Sequence, residues 1–266
     1  QSVDLMTDIL SAQVGYPELS YITQVLAIPD QSGISLEILE TGEVQTFKNI
    51  YLKPARSSWI EGEPESLYEE NQEVYNSSDI YPKEYAKLDP PSVFRDFRLT
   101  RLSLFPLRYL AAKKELQAVT SITIRINYGR GEVINPKTAS NKAIAPSFGK
   151  LYRSFISNYQ TVLNSRYNGE EAGRDVMLCI IPDQFVDSFE PYADWKRASG
   201  TDIVITKFSD IGANASNATI IKDHITDAYY NWEYPPTYVL IVGDDGIFPE
   251  KIVNYDYSFA NEDYFV

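Results

Sequence analysis

Four oxygen donors towards the C-terminal end of the chain have the chemistry of a hard-cation site. They are the carboxylates of Asp244 and Asp263, the amide of Asn261 and the main-chain carbonyl of Phe265. Calcium takes carboxylate, amide and carbonyl oxygens together, about six to eight at a time, so these residues are the candidate metal ligands and calcium the expected cofactor. The same residues can equally be acidic turn positions held by backbone amides and water, and the sequence leaves both readings open.

The second candidate chemistry is nucleophilic. Cys179 is the single cysteine and His224 the single histidine, and a thiolate nucleophile needs an imidazole within hydrogen-bond reach. Cys179 lies inside the apolar run 176–181, where a thiol is inert, and His224 lies on a polar helical pattern. The pair is therefore not expected to form a dyad. One cysteine also excludes an internal disulfide framework, and one histidine excludes a Cys/His zinc cluster.

The elements that must position these residues read clearly in the second half. Val239, Leu240, Ile241 and Val242 form an unbroken apolar run that delivers Gly243-Asp244-Asp245-Gly246 to its end. Such a run predicts a strand of a parallel sheet covered on both faces, whose carboxyl end is a ligand crevice. Before it come an apolar strand at 176–181, a helix at 185–198 stopped by Gly200, a strand at 202–205 and a helix at 218–232 capped by Ser216 or Asn217. Strand, helix, strand, helix, strand is the order of a parallel α/β unit.

The first half has a different period. Strands are expected at 21–28, 34–39, 44–52, 97–105 and 122–128; in the last, Ile122, Ile124 and Ile126 alternate with Thr123, Arg125 and Asn127, as in a half-buried antiparallel strand. A small β-sandwich or barrel is the economical reading. The polar stretch 56–91 reads as a mobile surface loop, and 131–150, with Pro136 and Pro146, as an interdomain linker. The expectation is an α+β chain of two domains, a β-rich one over 1–145 including the linker and an α/β one over 146–266.

The second half resembles the start of the catalytic domain of the gingipain family of bacterial cysteine peptidases, whose fold is similar to that of the caspases. The residues that carry the resemblance are Val176 to Pro182, the helix Phe189-Glu190-Pro191-Tyr192-Ala193-Asp194-Trp195-Lys196-Arg197, Asn217-Ala218-Thr219-Ile220-Ile221 and Tyr238-Val239-Leu240-Ile241-Val242-Gly243-Asp244. The segments 97–109 and 116–128 are similar to the end of the β-rich prodomain of such precursors. The resemblance implies a β-sandwich-like prodomain followed by part of a three-layer parallel α/β catalytic domain. It also implies a catalytic His and Cys downstream of Val266, so the chain itself is expected to lack the dyad and to be inactive.

It further implies structural calcium on Asp244 and on the loop matching Asn261, Asp263 and Phe265. The prodomain would pack on the catalytic domain and block its cleft with a substrate-like residue, for which Lys83, Lys87 and Arg95 are the basic candidates. Protein or peptide substrates would be the partners of the complete enzyme. A non-catalytic surface or secretion-associated binding module on the same fold is the alternative, since fold does not fix function.

With 24 Lys and Arg against 37 Asp and Glu, the formal net charge over 266 residues is -13, which repels phosphate backbones and argues against a nucleic-acid partner. No apolar run approaches the roughly 20 residues that span a bilayer. The chain opens Gln1-Ser2-Val3, and the expectation is a secreted or cell-surface bacterial protein whose signal peptide has been removed.

Overall fold

The computed structural model of the chain describes residues 9–10, 13–57, 61–62, 64, 66–139, 142–171, 173–214, 216–244, 246–248, 252–254 and 258–260. It divides into two units, residues 1–138 with 155–158, and residues 139–154 with 159–266.

The first unit contains β1 (Ile9–Leu10), β2 (Ser20–Ile28), β3 (Ile34–Thr41), β4 (Val44–Phe47), the short helix α1 (Gln72–Tyr75), β5 (Ala86–Leu88), β6 (Ser92–Phe94), β7 (Phe97–Leu104), β8 (Leu107–Leu110), β9 (Glu115–Val119) and β10 (Ile122–Tyr128). They form three antiparallel sheets. One runs β1-β2-β7-β5 with β6 also on β7, one runs β4-β9-β8, and β3 pairs with β10. The alternation expected at 122–128 holds over its first five residues, where Ile122, Ile124 and Ile126 are partly covered and Thr123 and Arg125 exposed, whereas Asn127 is partly covered rather than exposed; Arg125 faces Glu37 across the pair at 3.4 Å.

At the centre of the first sheet, β7 buries Phe97, Leu99 and Leu102 together with the whole of Arg98. The Arg98 guanidinium donates to the carbonyls of Pro29 (2.9 Å), Ser32 (2.7 Å), Ile134 (3.1 Å) and Asn135 (3.0 Å). Four carbonyl dipoles thus replace the water lost on burial, and they tie the turn after β2 to residues 134–135. Lys137, itself buried, adds its N–H to the Asp30 carbonyl at 2.9 Å. The first part of the stretch read as a linker is therefore folded onto the β unit.

The polar stretch 56–91 is anchored to the β unit at its described residues Tyr75 and Tyr81. Tyr75 packs in a core cluster with Leu19, Tyr109 and Ala111, and Tyr81 and Tyr109 exchange main-chain hydrogen bonds at 2.9 and 2.7 Å. Its aromatic residues supply the apolar area that its polar composition conceals.

Residues 155–158 group with this unit because they dress the open edge of β2. Ser157 N–H reaches the Val25 carbonyl at 2.9 Å, while the Asn158 amide accepts from Ala27 N–H at 2.8 Å and donates to the Ala27 carbonyl at 2.9 Å. A side-chain amide here stands in for the missing strand partner.

The second unit contains α2 (Pro146–Phe155), α3 (Tyr159–Tyr167), β11 (Val176–Ile181), α4 (Val186–Ala198), β12 (Asp202–Lys207), α5 (Phe208–Ile211), α6 (Ala218–Asn231), β13 (Tyr238–Ile241), β14 (Ile252–Asn254) and β15 (Ser258–Ala260). β12, β11 and β13 form a parallel sheet in that order, and β14 and β15 an antiparallel pair. All six residues of β11 are buried. Met177, Cys179 and Ile181 pack on one side against Val186, Phe189 and Tyr192 of the α4 region, and Leu178 and Ile180 on the other against Phe208 and Ile221. Burying each such aliphatic side chain contributes about 1.5–3 kcal/mol, which makes β11 the spine of the unit. Asn217 caps α6, its side chain accepting from Thr219 N–H at 3.2 Å and Ile220 N–H at 3.4 Å.

β13 departs from the expectation of cover on both faces: Tyr238 and Val239 are 44% and 42% exposed. The apolar run is the same in a central and an end strand, and among the described residues β13 pairs with β11 alone. Among the same residues no helix is long and apolar enough to cross a membrane.

Candidate functional site

The carboxyl ends of the three parallel strands each carry a polar turn. After β11, Asp183 accepts the Ser209 N–H at 3.1 Å and a short hydrogen bond from the Ser209 hydroxyl. That hydroxyl first, and the Ser209 N–H second, hold the Asp183 carboxyl below the ordinary carboxylate range. After β12, Asp210 accepts the Lys207 N–H at 3.0 Å. After β13 comes Asp244, an exposed carboxylate whose main-chain carbonyl accepts from Ile247 N–H and Phe248 N–H, each at 3.0 Å.

Gly243 makes that last turn. Its φ is +144°, a region that L side chains rarely adopt, and a β-carbon there would lie 3.0 Å from Phe248 Cβ. Phe248 is pinned in turn against Phe208, with ring centroids 5.5 Å apart, over Leu178 and Ile180. The core of the unit thus fixes where Asp244 stands. As an exposed carboxylate at a strand end, Asp244 fits the role of a hard-cation ligand. Its expected co-ligands Asn261, Asp263 and Phe265 lie outside the described residues, and among the described residues no three His, Cys, Asp or Glu side chains converge to hold a metal.

Cys179 and His224 are not brought together. Cys179 has no exposed surface and packs on the α4 side of β11, and burial pushes its thiol up to about 11. His224 Nε2 lies 3.0 Å from the Thr206 hydroxyl. Thr206 pairs with Ile180, the residue after Cys179, so its side chain is on the other face of the sheet. Burial lowers the His224 imidazole below its ordinary value, and Trp232 meets it edge-on at 6.2 Å.

The basic candidates occupy three settings. Lys83 is exposed and pairs with Asp79 at 3.1 Å; Lys87 is exposed on β5, 3.9 Å from Asp89. Arg95 lies in the β6–β7 turn at φ 45°, with only 15% of its side chain exposed and Asp96 at 3.6 Å. Beside β5 and β6 a pocket of about 360 Å³ is lined by Val25, Phe94, Leu99 and Phe155, with the ion pair of Arg101 and Asp89, 2.5 Å apart, also in its wall.

A second polar cluster, which no local sequence pattern marks, joins α2 and the start of α3 to residues 171–175. Glu171 accepts from Arg153 Nη2 at 2.6 Å and from the Tyr159 hydroxyl at 2.7 Å, and Asp175 accepts from Ser147 N–H at 3.2 Å and its hydroxyl at 2.8 Å. The polar spacing of 168–173 reads as a plain turn, and nothing local to it announces partners 12 to 28 residues away.

The Propeptide_C25 family model matches residues 6–167, more than half of the chain, and the Peptidase family C25 model matches residues 171–266. Among curated proteins, Gingipain R2 of Porphyromonas gingivalis strain W83 is 25% identical over 242 residues, covering 91% of this chain and 32% of that protein. Gingipain R1 of Porphyromonas gingivalis is 25% identical over the same length, covering 91% of this chain and 24% of that one. The chain therefore spans a third or less of the length of the curated relatives it matches. A solved complex of the pro- and mature domains of Porphyromonas gingivalis RgpB aligns with a TM-score of 0.49 at 23% identity, covering 57% of this chain and 76% of that one. Propeptide and peptidase matches that follow one another along a single chain lead to one conclusion: this protein belongs to the gingipain family of cysteine peptidases, peptidase family C25, and comprises a propeptide followed by the first part of a peptidase domain.

Proposed function

We propose that the chain is the N-terminal portion of the latent precursor of a secreted, gingipain-like cysteine endopeptidase. The observation that carries this reading is the succession of a propeptide match over residues 6–167 and a peptidase match over 171–266. In it the β unit, organised as a sandwich, assists folding and inhibits, and packs on a three-layer α/β domain that begins with β11, β12 and β13. The catalytic His and Cys belong to chain beyond Val266, where a thiolate would attack the scissile carbonyl and the imidazole would carry the proton. The burial of Cys179 and its separation from His224 by the sheet support that assignment.

In this reading Asp244, Asn261, Asp263 and the Phe265 carbonyl hold calcium, which fastens the turns at the sheet's carboxyl edge. A basic side chain of the prodomain occupies the cleft. Lys83 and Lys87 are the better placed of the three candidates because they project into solvent, whereas Arg95 is largely covered.

The test is thiol-dependent hydrolysis of peptide substrates by the complete precursor before and after removal of the propeptide. The reading requires little activity before, activity after, and loss of that activity on alkylation. Absence of thiol-dependent hydrolysis in both states would leave a binding module on the same fold as the better account.

A further inference from the structure

The pocket beside β5 and β6 is built entirely by the first unit: it holds about 360 Å³, and every residue that lines it belongs to that unit. Its position follows from strand register. Val25 on β2 pairs with Arg101 on β7, and Ser92 on β6 pairs with Leu99 on β7. Directly opposite residues share a face of a sheet, as do residues two apart on one strand. Val25, Leu99, Arg101, Ser92 and Phe94 therefore project to the same side. Leu99 is buried at the base, and Phe94 meets Phe155 edge-on at 5.8 Å to make an apolar wall.

The opening exists because the sheet is interrupted there. β5 and β6 both pair with β7 but are separated by Asp89-Pro90-Pro91. Two successive prolines supply no N–H to a ladder and cannot continue it. Hydrogen bonds fix the interruption in place: Asp89 N–H donates to the Arg101 carbonyl at 2.9 Å, the Thr100 hydroxyl to the Asp89 carbonyl at 2.7 Å, and the Asn135 amide to the Pro91 carbonyl at 2.8 Å. The site is thus formed before any ligand arrives.

The rim carries the charge that selects a ligand. Arg101 gives Nε and Nη2 to one oxygen of Asp89, at 2.7 and 2.5 Å, and Lys87 Nζ stands 3.9 Å from the other. Two cations meet one carboxylate, an excess of positive charge on a chain whose net charge is -13. The Arg101 side chain is 56% exposed, and its Nη1 has no hydrogen-bond partner among the described residues. A guanidinium with an unused N–H edge beside an apolar pocket is complementary to a carboxylate on an apolar body. β6 adds a further element: Ser92, Val93 and Phe94 are all exposed, and among the described residues the strand is paired along one edge only. Its other edge offers main-chain groups that an extended peptide can pair with and an acyl chain cannot.

We propose that this pocket captures the carboxyl terminus of an extended peptide. The apolar side chain of the last residue enters beside Phe94, Phe155 and Val25, the terminal carboxylate takes the unused edge of Arg101, and the preceding residues pair with the outer edge of β6. This recognition belongs to the β unit and does not depend on the peptidase reading.

The test uses the complete precursor and a labelled hexapeptide of alternating threonine and valine that ends in phenylalanine with a free carboxylate, beside its C-terminal amide and labelled decanoate. Fluorescence anisotropy should show the acid binding about tenfold more tightly than the amide, the loss that follows removal of one charged hydrogen bond. Arg101→Gln should erase the difference between acid and amide. Asp89→Asn, which removes the carboxylate competing for the guanidinium, should tighten the acid severalfold and leave the amide unchanged. Opposite signs for these two rim substitutions separate recognition from a general loss of structure. Equal binding of acid and amide, no binding of either, or an acid preference that persists in Arg101→Gln would overturn the proposal. Decanoate bound as tightly as the peptide acid would also overturn it, by showing that the pocket takes an apolar carboxylate without reading a peptide main chain.

Discussion

Cys179 and His224 stand on opposite faces of one parallel sheet, because Thr206, which lies 3.0 Å from His224, pairs with Ile180 and not with Cys179. No side-chain rotation brings the two together, so the one thiol and the one imidazole of this chain serve its core. Cys179→Ala should leave thiol-dependent hydrolysis by the complete enzyme intact, at a stability cost of roughly 1 kcal/mol. The native Cys179 thiol, pushed up to about 11 and fully covered, should resist a disulfide reagent at pH 8 and react at once in denaturant.

Arg98 should be among the least replaceable residues of the β unit. Arg98→Met leaves four carbonyls without their donor, at a cost of about 3 kcal/mol or more in urea unfolding. Arg98→Lys should recover little of this, since a single ammonium cannot address carbonyls on both the 29–32 turn and the 134–135 segment. Equal stability of the lysine variant and the parent would show that the guanidinium fork is not what closes these turns.

His224 gives the α/β unit a pH dependence of definite sign. Its imidazole is lowered in the folded state by burial, so the unfolded chain binds a proton more readily. Stability from this group is complete above the unfolded value of about 6.5 and is lost as pH falls through that value towards the lower folded one. Unfolding by urea should show stability dropping below pH 6.5 in the parent and a shallower drop in His224→Asn. An identical slope in both would assign the dependence to carboxylates.

Calcium should raise the melting temperature of the complete precursor. At a hundredfold excess over its dissociation constant a bound ion adds about 2.7 kcal/mol, and a chelator should reverse the rise. Asp244→Asn should reduce the calcium-induced shift, read as the difference between the melting temperatures with and without calcium in each variant. A melting temperature indifferent to calcium in the parent would remove Asp244, Asn261, Asp263 and Phe265 from consideration as ligands.

The elements legible in the sequence are those whose pattern is local. The unbroken run of β11 reports burial on both faces, the alternation at 122–126 reports burial on one, and a polar pair before an apolar helix reports a cap at Ser216 or Asn217, of which the fold uses Asn217. Arg98 was illegible because a basic residue within a strand reads as solvent-facing, and its partners are main-chain carbonyls 36 to 69 residues away. Asn158 was hidden for the same reason, its partner Ala27 lying 131 residues earlier. The exposure of β13 depends on which strand lies beside it, a property that its own four residues do not encode. Of the candidate site, Asp244 was legible as the exposed end of a strand turn, while the grip of Arg153 and Tyr159 on Glu171 required the packing of two helices that the polar turn at 168–170 does not foretell.

Intact mass over time tests most directly whether this chain is part of a cysteine peptidase precursor. The complete precursor would be incubated with calcium beside a variant whose downstream candidate Cys is changed to Ala. The parent alone should shed mass through scission in the propeptide-to-peptidase region, and the released peptidase should be thiol-dependent. Identical masses in both, with no thiol-dependent hydrolysis after deliberate nicking, would contradict it.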